Sequence, residues 1–122
     1  VIEKDVEAHC DDLVAHHGGR VVRYSQARAS GQSEGIADRE YYVLGVKVRY
    51  EVKRAAGKLS AEQLELLTLE YGAGGIVCVG GLLELKHLLC ALRRSREEGR
   101  ELGKLFTDLW AARGVRGRKK QR

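Results

Sequence analysis

The chain is expected to fold as an α/β sandwich, a mixed central sheet flanked by helices. Three observations predict it: apolar residues at helical spacing near both ends, β-branched and aromatic runs of strand length between them, and a capped helix separating two of those runs. A strand, a crossover helix and a further buried strand imply at least one parallel pair, and a parallel pair needs helices on both faces of its sheet. At 122 residues the chain has the size of one domain, long enough to bury roughly two thirds of its unfolded surface.

Residues 2–16 place Ile2, Val6, Cys10, Leu13 and Val14 on one stripe of an amphipathic helix that ends at Gly18-Gly19. Glu3 and Glu7, four apart, lie one above the other beside that stripe, where the helix dipole favours acids in any case. Residues 20–25 read as a short strand and residues 25–35, small and polar with two glycines, as a mobile loop carrying Arg28. A hairpin follows, with strands at 40–44 and 47–52 bending at Gly45; its continuous Y-Y-V-L run suggests a strand covered on both faces.

After a turn at Gly57, Ser60 begins a helix. The sequence S-A-E-Q is a capping box in which Ser60 and Gln63 satisfy each other's backbone N–H groups. Leu64, Leu67 and Tyr71 supply that helix's buried stripe and Gly72 ends it. Residues 74–79 form a short apolar strand of the buried type, and Gly80-Gly81 turns the chain into a helix with Leu82, Leu85, Leu88, Leu89 and Leu92 facing the core. A last helix carries Leu102, Leu105, Phe106, Leu109 and Trp110, either closing the core or offering a partner face. The expected order is α-β-β-β-α-β-α plus a C-terminal helix.

The net charge is +5 and the pI about 9.3, compatible with a polyanionic partner. Charge is segregated: the last ten residues hold six basic side chains and no acid, whereas the first seventeen hold five acids and one lysine. No long apolar run and no signal-peptide pattern is present, so the expectation is a soluble cytoplasmic protein with no membrane contact. Cys10, Cys78 and Cys90, far apart in apolar surroundings, are expected to be buried thiols in a reducing compartment.

The chemistry concentrates between Asp38 and Lys53. In a hairpin bent at Gly45, Asp38 opens the first strand and Glu51 lies near the end of the second, so the two acids can approach. Glu51 and Lys53 share a face while Val52 points the other way. Phosphodiester hydrolysis assisted by Mg²⁺ needs hard oxygen ligands, which Asp38, Glu51 and the Val52 carbonyl supply. Lys53 is placed to orient water and offset charge on the phosphate, and Glu7 or Glu3 could add an acid from the first helix. His9, Cys10, His16 and His17 lack the spacing of a zinc site, and no Gly-x-Ser-x-Gly motif is present.

The motifs G-I-A-D-R at 35–39, Y-E-V-K at 50–53, G-K-L-S at 57–60 and Gln63, with I-E-K-x-V-E at 2–7 and Gly18-Gly19, together resemble the VRR-NUC domain, a branch of the PD-(D/E)XK nuclease superfamily. The resemblance extends to about Leu92, which makes 1–92 the nuclease domain and 93–122 a helix and basic tail, part of the same domain or a dimer contact. It implies a restriction-endonuclease-like fold with Asp38, Glu51 and Lys53 as the catalytic core, Mg²⁺ or Mn²⁺ as cofactor with no organic group, and a helix-borne glutamate, Glu7 with Glu3 as alternative. Gln63 would then contact the active-site lysine or the scissile phosphate, a role that competes with the capping box for the same amide. Ala37 stands where the family usually has proline.

Stand-alone phage and bacterial members look like homodimeric endonucleases acting on branched DNA, notably four-way (Holliday) junctions. For such a substrate the expected DNA contacts are Arg28, Arg39, Lys58, Arg118, Lys119 and Lys120. A less selective nuclease for flaps, nicks or single strands is the alternative within enzymes, and a non-catalytic nucleic-acid-binding module the alternative outside them.

Overall fold

The computed structural model of the chain describes residues 3–23 and 39–117, Glu3 by its backbone alone. In chain order the elements are α1 (Glu3–His16), β1 (Arg20–Arg23), β2 (Arg39–Val43), β3 (Val46–Val52), β4 (Leu59–Ser60), α2 (Ala61–Gly72), β5 (Ile76–Gly80), α3 (Leu82–Arg94), α4 (Arg96–Ala112) and β6 (Val115–Arg116). The expected order recurs, with the short strands β4 and β6 added. The loop expected at 25–35 lies outside the described residues.

The main sheet has the order β1-β2-β3-β5. Its first three strands run antiparallel, and β3 pairs with β5 in parallel, the pair that the crossover through α2 requires. Alternation along β3 sends Val48, Tyr50 and Val52 to one face. There Cys10 and Val14 of α1 and Leu85, Leu88, Leu89 and Leu92 of α3 close over them. On the other face Leu67 of α2 and Trp110 of α4 pack with Leu59, Val77 and Val79. Two helix layers therefore enclose the sheet, as the sequence predicts.

The hairpin turn is Leu44-Gly45, with φ of 53° and 79°. Two successive left-handed residues are what a two-residue loop needs to match the strand twist, and Gly45 adopts that conformation without strain. The expectation that Y-Y-V-L is covered on both faces is corrected. Tyr41 and Val43 are buried but Tyr42 is 45% exposed, because α2 and α4 pack over β5 and leave β2 open on that side.

The stripe expected on α4 is also redrawn. Trp110 is buried and Phe106 packs on the α1–α3 cluster, whereas Leu105 and Leu109 are exposed. The buried line is Gly99, Gly103, Thr107 and Trp110. Small residues are required there: a Cβ on Gly103 would stand 2.1 Å from the Val77 carbonyl oxygen. Among the described residues β5 pairs with β3 alone in the sheet, and α4 lies against its other side, sending Phe106 to one core cluster and Trp110 to the other. All three cysteines are free; Cys10 and Cys78 are buried as expected, but Cys90 sits on the exposed side of α3.

Candidate active site

Glu51 and Lys53 project from the end of β3 toward α2, opposite the face that takes Val52. The ladder to β5 continues past the strand, with the Lys53 N–H donating to the Gly80 carbonyl at 3.0 Å, so Lys53 is fixed like a strand residue. Glu51 is 1% exposed and Lys53 6%, with Lys53 Nζ 3.6 Å from Glu51 Oε2. Two charged side chains at such depth are retained only where each is paired and hydrogen-bonded.

α2 supplies the hydrogen bond. Gln63 Nε2 donates to Glu51 Oε2 at 2.7 Å, while its Oε1 accepts from the Ser60 N–H at 2.9 Å. The Gln63 N–H donates to Ser60 Oγ at 3.0 Å, completing the capping box. The amide serves the cap with its oxygen and Glu51 with its nitrogen, so the cap does not exclude a second role, but the contact made is with the carboxylate, where the resemblance implied the lysine or the scissile phosphate. Arg39 of β2 lies opposite Tyr50 of β3, one residue from Glu51. Asp38 lies outside the described residues, as do Arg28, Arg118, Lys119, Lys120 and the side chain of Glu3.

Glu7 of α1 is half-buried, its Oε1 3.3 Å from the Arg39 guanidinium. That guanidinium also donates to both oxygens of Asp11, at 2.9 and 3.2 Å, and the Tyr41 hydroxyl donates to Asp11 Oδ1 at 2.8 Å. Burial works against the charge on Arg39, but its hydrogen bonds and proximity to Asp11, with Glu7 beside them, hold it above its ordinary pKa. The Tyr41 hydroxyl is pushed well up by burial and by the Asp11 charge, so it remains a donor. Arg39, expected on DNA, is 7% exposed and occupied by these acids. Lys58 is exposed beside β4.

The sequence reading missed Asp11 and Tyr41. Asp11 stands four residues after Glu7, and that spacing, which marks a shared helix face, was the available signal. It also missed Glu40, which is buried on the Glu51 side of the sheet with Arg49 at 2.7 Å and Lys47 at 3.5 Å. Val6, His9, Lys53, Arg54, Gly81 and Leu82 are among the lining of a cleft of about 260 Å³ at the same end of β3. Glu51 and Glu7 offer the hard oxygens that suit Mg²⁺, although no group of three or more His, Cys, Asp or Glu stands together among the described residues. With Asp38 outside those residues, the donor set they present fits a divalent cation in kind but is incomplete.

A central mixed sheet flanked by helices, with an acid and a lysine at the end of its second hairpin strand, defines a restriction-endonuclease-like α/β domain. A solved structure described as "VRR_NUC domain" matches the chain with a TM-score of 0.59 and 25% identity, covering 71% of this chain and 92% of that one. This supports the VRR-NUC assignment, and with it a nuclease domain. No family profile and no curated protein matches the sequence. No described helix is long and apolar enough to cross a membrane.

Proposed function

We propose that the chain is a divalent-metal-dependent DNA endonuclease that hydrolyses phosphodiester bonds in branched DNA, with four-way junctions as its main substrate and a homodimer as its working form. The observation that carries the reading is the buried Glu51–Lys53 pair with the Gln63 amide on the same carboxylate. Stability does not account for such a pair, because replacing buried charges by packed apolar groups is often neutral or stabilising, and a catalytic role does.

In this reading Glu51 and the Val52 carbonyl, with Asp38 and Glu7, would hold Mg²⁺ or Mn²⁺. When bound, the ion would supply Lewis acidity and make water a better nucleophile. Lys53 brings a fixed positive charge to the phosphate, stabilising the charge that gathers there and orienting the attacking water. Gln63 holds the Glu51 carboxylate in one rotamer, and Arg39 positions Glu7, so Arg39 is a positioning residue. A symmetric junction needs two strands cut, which two copies of one site provide.

The test is cleavage of a four-way junction and of a linear duplex matched in sequence, with Mg²⁺, with Mn²⁺ and with chelator. Junction cleavage that requires the metal is expected. Equal cleavage of both substrates would remove the junction claim, and cleavage in chelator the metal claim. Glu51→Gln and Lys53→Met are each expected to lower the single-turnover rate by about 10²- to 10⁴-fold. Wild-type rates in either variant would exclude the assigned chemistry. Light scattering of the purified protein reports the dimer directly.

A further inference from the structure

We infer that Arg54, Lys58, Arg113 and Arg116 form one cationic ridge that holds the sugar-phosphate backbone of the nucleic acid beside the Glu51–Lys53 site. The inference rests on the nuclease reading and adds to it a binding surface. The four residues come from two segments distant in sequence, the turn after β3 and the chain after α4. The β4–β6 pairing joins them, with Leu59 opposite Val115 and Ser60 opposite Arg116.

Further contacts hold the two segments in register. The turn closes through the Gly57 N–H donating to the Arg54 carbonyl at 2.8 Å. At its tip the Arg113 guanidinium donates to the Ala55 carbonyl, and it stacks 3.9 Å above the Trp110 ring. A Cβ on Gly114 would stand 3.4 Å from Lys58 Nζ. All four cations are exposed, and none is ion-paired with a described residue; Arg39, Arg49, Arg94 and Lys104, by contrast, each meet a carboxylate. Clustered like charges raise the energy of the free protein, and a polyanion offsets that cost.

The ridge adjoins the catalytic groups at two points. Arg54 follows Lys53 and lines the same cleft. Arg116 is paired with Ser60, whose capping partner Gln63 holds Glu51. A protein partner fits the surface less well, because protein interfaces are built on apolar and aromatic anchors and none of the exposed large apolar side chains belongs to either segment.

The test measures binding of a labelled DNA duplex by anisotropy, in chelator, over a range of salt concentrations. Lys58→Gln with Arg116→Gln is compared with wild type and with a control, Arg94→Gln with Lys104→Gln, that removes two ion-paired cations from α3 and α4. Neither Lys58 nor Arg116 is buried, and equal urea midpoints will verify the fold. The ridge variant is expected to bind about tenfold or more weakly, with a log–log salt slope shallower by about 1.8, the value for two lost phosphate contacts. The control should keep the wild-type slope. Unchanged binding in the ridge variant, or an equal loss in the control, overturns the ridge. A wild type that cleaves DNA while the ridge variant binds normally leaves the nuclease reading standing and removes this inference alone; a wild type that neither binds nor cleaves DNA removes both.

Discussion

Gln63 serves two partners because the ends of its amide differ, oxygen toward the Ser60 N–H and nitrogen toward Glu51. Ser60→Ala removes one cap and leaves the Glu51 contact, so it is expected to cost about 1 kcal/mol of stability with little change in cleavage. Gln63→Glu keeps the capping oxygen but sets a second carboxylate against Glu51; a loss of about 1–3 kcal/mol is expected, with a much larger loss of single-turnover cleavage. Urea unfolding and the cleavage rate measured together separate the two, and an equal rate loss in Ser60→Ala would show that the cap alone matters. Cys10 and Cys78 are buried and Cys90 is exposed. Burial pushes the Cys10 thiol from 9.0 up to about 12. The native state therefore holds that proton more tightly than the unfolded chain does. The stability this gives is complete below pH 9.0 and lost as pH rises towards about 12. Alkylation of native protein near pH 8 should label Cys90 alone, and all three thiols after denaturation.

Among the elements, those whose signal is local were legible. The capping box of α2 appears where S-A-E-Q predicts it, and the hairpin bends at its glycine. α4 was legible as a helix but not in its orientation. A reading by size favours Leu105 and Leu109 as core residues, yet the helix approaches β5 too closely for large side chains, and Gly99, Gly103 and Thr107 take the buried positions. Close approach depends on the partner's backbone, and no periodicity within the helix records it. Gly103→Ala tests this directly. Ala is the better helix former by about 1 kcal/mol, but its Cβ would meet the Val77 carbonyl, so a net loss of about 1–3 kcal/mol is expected. Gly72→Ala, at the end of α2 with open space around it, should be neutral or stabilising in the same urea titration.

Across the whole molecule, legibility of the site divides at tertiary contact. Glu51 and Lys53 could be placed on one face from strand alternation, and Gln63 was brought to them only by the family resemblance, since its capping motif by itself speaks for the helix start. The network of Asp11, Arg39 and Tyr41 could not be placed, because it joins α1 to β2 across 28 and 30 residues of sequence. That network fixes α1, and Glu7 with it, against the sheet. Asp11→Leu leaves the Arg39 charge buried with Glu7 as its remaining described carboxylate within ion-pair distance, so it is expected to destabilise the protein by about 3 kcal/mol, at the low end for a broken buried pair. Adding Arg39→Met removes the stranded charge and fills its volume, and the double variant should recover most of the loss. Stability and activity then part company. If Arg39 serves only to hold the fold, the recovered double variant cleaves DNA as wild type does; if Arg39 positions Glu7, cleavage stays low in a protein whose urea midpoint has returned. We expect the second outcome, since Glu7 Oε1 lies 3.3 Å from the group that the double variant removes.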